Sequence, residues 1–519
     1  MYTQNQPINQ SLISVQKIYT CVYSCNLIHN STQQRTMPLT PRFSLDQNSS
    51  HVILTVRIPY IRPSDAELRV EPVSSSSLAS EKTDVSFYCK PYLLRLRLPA
   101  ALCDEDGNKA VYNPDEERGT LTVHLKKINE SFIPDLDLIS KLMIPPAHED
   151  ELFLKKEQSQ PNIIELNSKR AETEEKSKVI SSFEDNENEV DWRNILASNN
   201  KNGDKKYSYG FMDQHSNIFS KWNEQGENTS SYTYLQREMG VELPNPDVVP
   251  RFERRSMRLI SEEEAFDAER YIGDYFGAAD DILFTMAMDS NCFIPHWEKY
   301  INRVDDLIDG LNGLSTSDVD TKCHFTKFTE EDNLRLSRLP RCNFTLNHTD
   351  NWRHLLSLVD IIAAYVYDCR LTCNDPNPES AWTIAILSPT LSWFESYESD
   401  KDSPYDALVF SLRRMMIYPY LRYWPFALKI LDDVKKIFTR GKRCVLRCLL
   451  QIHDTFEHTD THYLLNKLYI SDYCSWIQSV SDSSFADFTT ELKKSCSMIT
   501  KDCVNLDLTE FEKYAMKFK

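Results

Sequence analysis

The sequence predicts a multidomain α and β protein, with an N-terminal antiparallel β-sandwich followed by a large all-α domain. Three observations predict it. From about residue 38 to 128 apolar and polar residues alternate, the period of a half-buried strand. From about 145 to 203 the chain turns polar and acidic, as in "SSFEDNENEVDWRN", too poor in apolar residues to bury a core. From about 205 to 490 the apolar residues recur at helical spacing. The division that follows is a disordered extension at 1–36, a sandwich at 37–128, an acidic linker at 129–204, a helical domain at 205–490 and a C-terminal tail at 491–519.

Residues 1–36 are polar and irregular, and the second methionine, Met37, is an alternative start. In "HVILTVRIPY" Val52, Leu54, Val56 and Ile58 fall on one side. Leu68 and Val70 share a face in "AELRVEPV". Val85, Phe87 and Cys89 do so in the next run, then Tyr92, Leu94, Leu96 and Leu98, and finally Leu121, Val123 and Leu125. The serine run at 74–80 reads as an enlarged loop between strands, and Trp192 in the linker as a local docking point. In the helical part, Leu355, Leu358, Val359, Ile362 and Val366 line one face of "NWRHLLSLVDIIAAYVYDCR". The acidic run "SEEEAFDAE" at 261–269 fits a helix start, with Ser261 as N-cap and Glu262 to Glu264 in the first turn. Prolines at 376, 378, 389, 404, 419 and 425 break this region into several helices.

The chain has 519 residues and a formal charge of −18. A free nucleic-acid binder shows a basic face, so this balance argues against one and favours a basic protein partner. No run of about 18 apolar residues occurs, which argues against a membrane helix. Fourteen scattered cysteines read as reduced thiols of cytosol or nucleus. Only 11 glycines are present, and neither phosphate-cradling glycine motif occurs, so a nucleotide-dependent enzyme is not expected. Cys369 and Cys373, Cys444 and Cys448, and His458 and His462 are each spaced four apart, but none matches a zinc spacing. No nucleophile elbow occurs, and His354 and His453 read as surface or core residues within helices. No metal, cofactor or catalytic residue is expected.

Two aromatic stretches stand out, "AWTIAILSPTLSWFESY" at 381–397 and "LYISDYCSWIQ" at 468–478. In the second, Ile470, Tyr473, Cys474 and Ile477 follow the spacing of a core face, with Tyr469 and Trp476 on an adjacent side. Core packing and a docking face are both open readings, since aromatic residues dominate cores and binding hot spots alike.

These stretches, with "YSYGF", "AERYIGDYF" and "LNKLYISDYCSWIQ", resemble the Shq family of H/ACA ribonucleoprotein assembly factors over nearly all of 37–490. The stretches "TPRFSLDQ", "VRIPY" and "FYCKPYLLRLRLP" resemble a CS domain, the sandwich shared with small heat-shock proteins. The resemblance implies a nuclear, also cytoplasmic, chaperone without catalysis. It implies binding to a dyskerin-type pseudouridine synthase, shielding of that enzyme's RNA surface, and release helped by an AAA-type ATPase complex. Direct contact with nucleic acid or membrane is not implied. The partner-contact expectation falls on acids and aromatics of the two signature stretches: Trp393, Phe394, Glu395, Asp472, Tyr473 and Trp476. The alternative is a general co-chaperone acting through the CS domain on a heat-shock ATPase.

Overall fold

The computed structural model describes residues 39–59, 66–73, 82–103, 108–114, 119–129, 131–133, 135–144, 206–220, 236–277, 328–342, 346–418 and 421–517, with a few isolated positions between. The extension at 1–36, the serine-rich loop at 74–80 and Trp192 lie outside them.

Seven strands form the N-terminal sandwich: β1 Arg42–Gln47, β2 His51–Arg57, β3 Glu67–Val73, β4 Lys82–Cys89, β5 Tyr92–Leu98, β6 Lys109–Asn113 and β7 Thr120–Lys126. One sheet runs β1-β2-β7-β6 and the other β3-β4-β5, all antiparallel. The alternation fixes the register: Leu54 sits between Leu45 and Val123, and all three are buried. β6 has no fully buried residue: Ala110 and Tyr112 pack only partly on the core and Val111 is exposed, so it closes the sheet as an edge.

The sandwich does not stop at 128. Gln47 brackets Ile133, accepting from its N–H at 2.9 Å and donating to its carbonyl at 2.6 Å. The short helix α1, Ile139–Leu142, follows, and the Ile144 N–H donates to the Arg95 carbonyl at 3.0 Å. Ile133, Leu136, Leu138 and Met143 are buried. The first part of the expected linker is therefore folded, because its apolar residues cover the open edge of β5.

The helical region comprises α2 Arg251–Ala265, α3 Ala268–Gly277, α4 Glu330–Arg338, α5 His348–Leu371, α6 Ser380–Leu387, α7 Pro389–Ser392, α8 Pro404–Met415, α9 Trp424–Thr439 and α10 Lys442–Glu457. Then α11, Tyr463–Leu465, passes through one π turn, Asn466–Ile470, into α12, Ser471–Ile477; α13 Asp482–Met498 and α14 Leu508–Met516 end the chain. The central element is α5. Asn347 caps it, accepting from the Asp350 N–H at 2.7 Å, and every residue from His354 to Arg370 is buried. Its apolar face was legible; burial on all sides follows from α6, α8, α9, α10 and α13 packing round it.

Two boundaries move. α13 crosses residue 490, and the segment after it is structural: the Glu512 carboxylate accepts from Tyr271 at 2.5 Å and Lys501 at 2.7 Å. Ser261 is not an N-cap. It lies inside α2, whose start is Arg251, and the acids occupy its last turns.

Sandwich and helices touch. Arg443 at the start of α10 holds Asp135 at 3.1 Å and also Asp137, and Ser140 donates to Gln478 at 2.8 Å. Farther along, Arg341 donates to Thr40 at 2.7 Å. The linker ties together two parts that are already in contact. Among the described residues, no helix is long and apolar enough to cross a membrane.

Candidate partner-docking region

Both signature stretches fold as the inner wall of the helical region. Their shared anchor is Asp360 of α5, fully buried, which accepts from Ser388, from Thr390 at 2.7 Å and from Tyr397 at 2.8 Å. Burial pushes its carboxyl up to about 7 against three hydroxyl donors that pull it down. Ser388 also accepts from the Leu391 N–H and caps α7, whose first residue is Pro389. That explains the spacing in "SPTLSWFESY": one carboxylate gathers three hydroxyls and sets the path of the turn.

The turn then makes a strained step. Phe394 adopts φ 48°, a left-handed conformation rare for a bulky residue. The step points the Phe394 carbonyl at Arg254 and passes Glu395 to Arg255 and Arg258. Arg254 is fully buried and also donates to the carbonyls of Tyr207, Ser208 and Pro246 at 3.0–3.2 Å. Arg255 reaches both oxygens of Asp402, at 2.7 and 2.8 Å. Arg258 donates to Glu262 at 2.8 Å, and Glu262 also takes Arg413 at 2.8 Å and Arg414 at 3.2 Å. α2, the turn at 395–402 and the pair Arg413–Arg414 are tied by this network of arginines and carboxylates, which costs desolvation and is stable only because each charge has partners.

The second stretch closes on "YSYGF". Phe211 stacks on the buried His354 at 4.3 Å, edge-on to Tyr473 at 4.9 Å, with Trp476 at 5.8 Å. The Trp476 indole donates to Asn351 at 2.9 Å. Tyr469 accepts from the Gly210 N–H at 3.1 Å. Gly210 has φ 83°, and a Cβ there would meet His215 at 2.6 Å, so only glycine fits. Burial drives His354 well below the ordinary imidazole range, so it is a neutral core residue.

The six expected contact residues separate accordingly. Trp393, Phe394, Glu395, Tyr473 and Trp476 are all at most 3% exposed. They face inward in the folded chain, where Glu242 takes the Trp393 indole at 2.7 Å and the arginines take Glu395. Asp472 is half-buried. Burial pushes its carboxyl up to about 7. The two stretches are brought together through Phe394 and Tyr469, 5.7 Å apart. Among the described residues, no three His, Cys, Asp or Glu side chains could share a metal, and the described cysteines, Cys369, Cys373, Cys444 and Cys448 among them, are free thiols.

Sequence reasoning missed the outer face of α2. Its arginines turn inward, while Phe252 is 69% and Ile260 59% exposed. The signal lay in the four-residue repeat Phe252, Ser256, Ile260, which the density of charge around it concealed.

Comparison with known proteins settles the family. The SHQ1 protein, Shq1 domain, matches residues 317–508, and the SHQ1-like, CS domain matches 40–143. Protein shq1 of Schizosaccharomyces pombe is 30% identical over 91% of this chain and 96% of its own length. The chain belongs to the SHQ1 family. The SHQ1 homolog of Mus musculus is 30% identical over 92% of this chain and 75% of its own, and that of Xenopus tropicalis 30% over 92% and 69%. The CS match ends at Met143, where the folded sandwich ends, and the Shq1-domain match contains both signature stretches.

Proposed function

We propose that this chain is an assembly chaperone for box H/ACA small nucleolar ribonucleoproteins, acting in ribosome biogenesis. It binds a dyskerin-type pseudouridine synthase through its helical region and covers the RNA-binding surface until guide RNA is loaded. Membership of the SHQ1 family over more than nine-tenths of the chain carries this reading. The charge supports it. Among the described residues eight buried arginines and Lys127 accompany eight buried aspartates and glutamates, so their interior contributes little to the formal charge of −18 and the excess acids of the described part lie at its surface. Such a surface is drawn to a basic RNA-binding face and repelled by RNA itself. The reading needs no catalytic residue, metal or cofactor. It places the protein in the nucleoplasm and the cytoplasm, and leaves release to an AAA-type ATPase complex.

The test is competition with the full chain, because α13 crosses residue 490 and Arg443 ties the sandwich to the helices. Labelled H/ACA guide RNA is titrated onto a dyskerin-type synthase with and without the chain, at fixed salt. Exclusion of RNA is expected. Simultaneous binding of RNA and chain refutes shielding.

A further inference from the structure

The helix α2 has the sequence RFERRSMRLISEEEA, which reads as a basic helix ending in acids. Folding sorts these charges. Arg254 and Arg258 are fully buried, and Arg255 is turned onto Glu395 and Asp402. Arg251 pairs with Asp213 at 2.9 Å. Glu262 is drawn inside with them. What stays outside is Phe252, Ser256 and Ile260, four residues apart on one face, flanked by the exposed Glu253, Glu263 and Glu264. Val248, 60% exposed, extends the apolar line before the helix starts. From Phe252 to Glu264 the face is roughly 18 Å long. A cation, Lys206, lies over the Phe252 ring at 6.0 Å.

We infer that this face is where the helical region docks its partner, and that the occupant is a basic protein surface carrying apolar side chains between lysines or arginines. The inference rests on the proposed function and adds its place on the chain. Three features carry it. Large apolar residues exposed in line on one helix are a recognition pattern, read as anchors spaced along a turn. The helix is rigid where it presents them, because its inner face is pinned by the ion pairs to Glu395, Asp402 and Asp213 and by the carbonyls of Tyr207, Ser208, Pro246 and Phe394. The rim is acidic although the fifteen residues of the helix hold as many arginines as acids, four of each, since every arginine is engaged by carboxylates or carbonyls while Glu253, Glu263 and Glu264 stay exposed. An acidic rim round an apolar line complements a basic surface and disfavours RNA.

The experiment measures binding of the full chain to a dyskerin-type synthase for the unchanged protein and three variants. Phe252→Ala with Ile260→Ala removes both anchors. Glu253→Lys with Glu263→Lys and Glu264→Lys reverses the rim. Tyr514→Ala changes an exposed aromatic on α14, far along the chain. The inference expects the anchor variant to bind at least about tenfold more weakly, chiefly through faster dissociation. It expects the rim variant to associate about tenfold more slowly at low salt, with the difference fading as salt rises. Tyr514→Ala should bind unchanged. All replaced side chains are exposed, and unchanged circular dichroism and thermal midpoint confirm folding. If the unchanged chain binds and the anchor and rim variants bind equally well, the docking face lies elsewhere and the inference falls while the proposed function stands. If the unchanged chain does not bind the synthase, both fall. If the anchor variant alters self-association instead, the face joins two copies and the inference is wrong.

Discussion

Replacing Glu395 by glutamine separates the two roles open to the second half of "SPTLSWFESY". The carboxylate is 3% exposed and takes the Nε of both Arg255 and Arg258, the latter at 2.6 Å. Glutamine has nearly the same volume, so no cavity opens. It carries no charge and offers one acceptor oxygen instead of two. Removing one partner of a buried ion pair costs about 3–5 kcal/mol. Here each arginine keeps a second carboxylate, Asp402 for Arg255 and Glu262 for Arg258. The expected loss therefore lies at the lower end, about 3 kcal/mol. Urea unfolding of the full chain, followed by tryptophan fluorescence, measures it. Synthase binding is compared at a temperature where both proteins are folded, and should be nearly unchanged. A variant within about 0.5 kcal/mol of the unchanged protein that nevertheless fails to bind would refute the reasoning, because Glu395 would then be a contact and not a tie.

Trp476→Ala should destabilise by about 3–5 kcal/mol, because the ring is fully buried against Phe211 and His354 and its indole N–H is spent on Asn351; the same urea experiment checks it. Asp360 gives a pH signature. Its carboxyl is held near 7 in the folded chain against 3.8 unfolded, so the folded state keeps its proton longer. Stability relative to Asp360→Asn should fall as pH rises from about 4 to about 7 and be flat above. His462, pushed down to about 4 by burial, works in the opposite sense, with stability rising with pH over about 4 to 6.5, and cancels in that difference. Arg443→Ala should weaken the contact between sandwich and helices by about 1–3 kcal/mol. Faster amide exchange at Ile139–Leu142, with β2 and β7 unchanged, is the sign to look for.

The sandwich was legible because its strands alternate; the buried residues of β2, β4 and, after Thr120, β7 are those the period of two selects. β6 was not, since its five residues put only Ala110 and Tyr112, both half-buried, on the inner face and leave Val111 exposed on the other. The central helix was legible from its spacing, though burial on every side was not, because a helix carrying Asp360, Asp368 and Arg370 inside does not read as core. The signature stretches were recognisable as related sequence, yet their aromatics and Glu395 gave no sign of which partner would take them. That depends on α2 returning beside them, and on arginines more than a hundred residues away in sequence. Ser261 failed for the same reason: Glu262 looks like a first-turn acid until Arg413 and Arg414 are seen to claim it.

Arginine, not lysine, fills these interior positions, and the geometry says why. Arg255 forks onto both oxygens of Asp402 while its Nε reaches Glu395, and Arg254 serves carbonyls of three segments at once, at 207–208, 246 and 394. Only a planar group with five donors can do this while remaining charged. The consequence reaches the surface. Each arginine consumed inside by a carboxylate leaves the outer charge of its helix to the remaining acids. Three arginines held by carboxylates and Arg254 held by carbonyls turn α2 from a helix that reads as basic at its start into an apolar line with an acidic rim. The interior ion network thus stabilises the turn at Phe394, fixes the angle of α2, and sets the sign of the face that α2 presents.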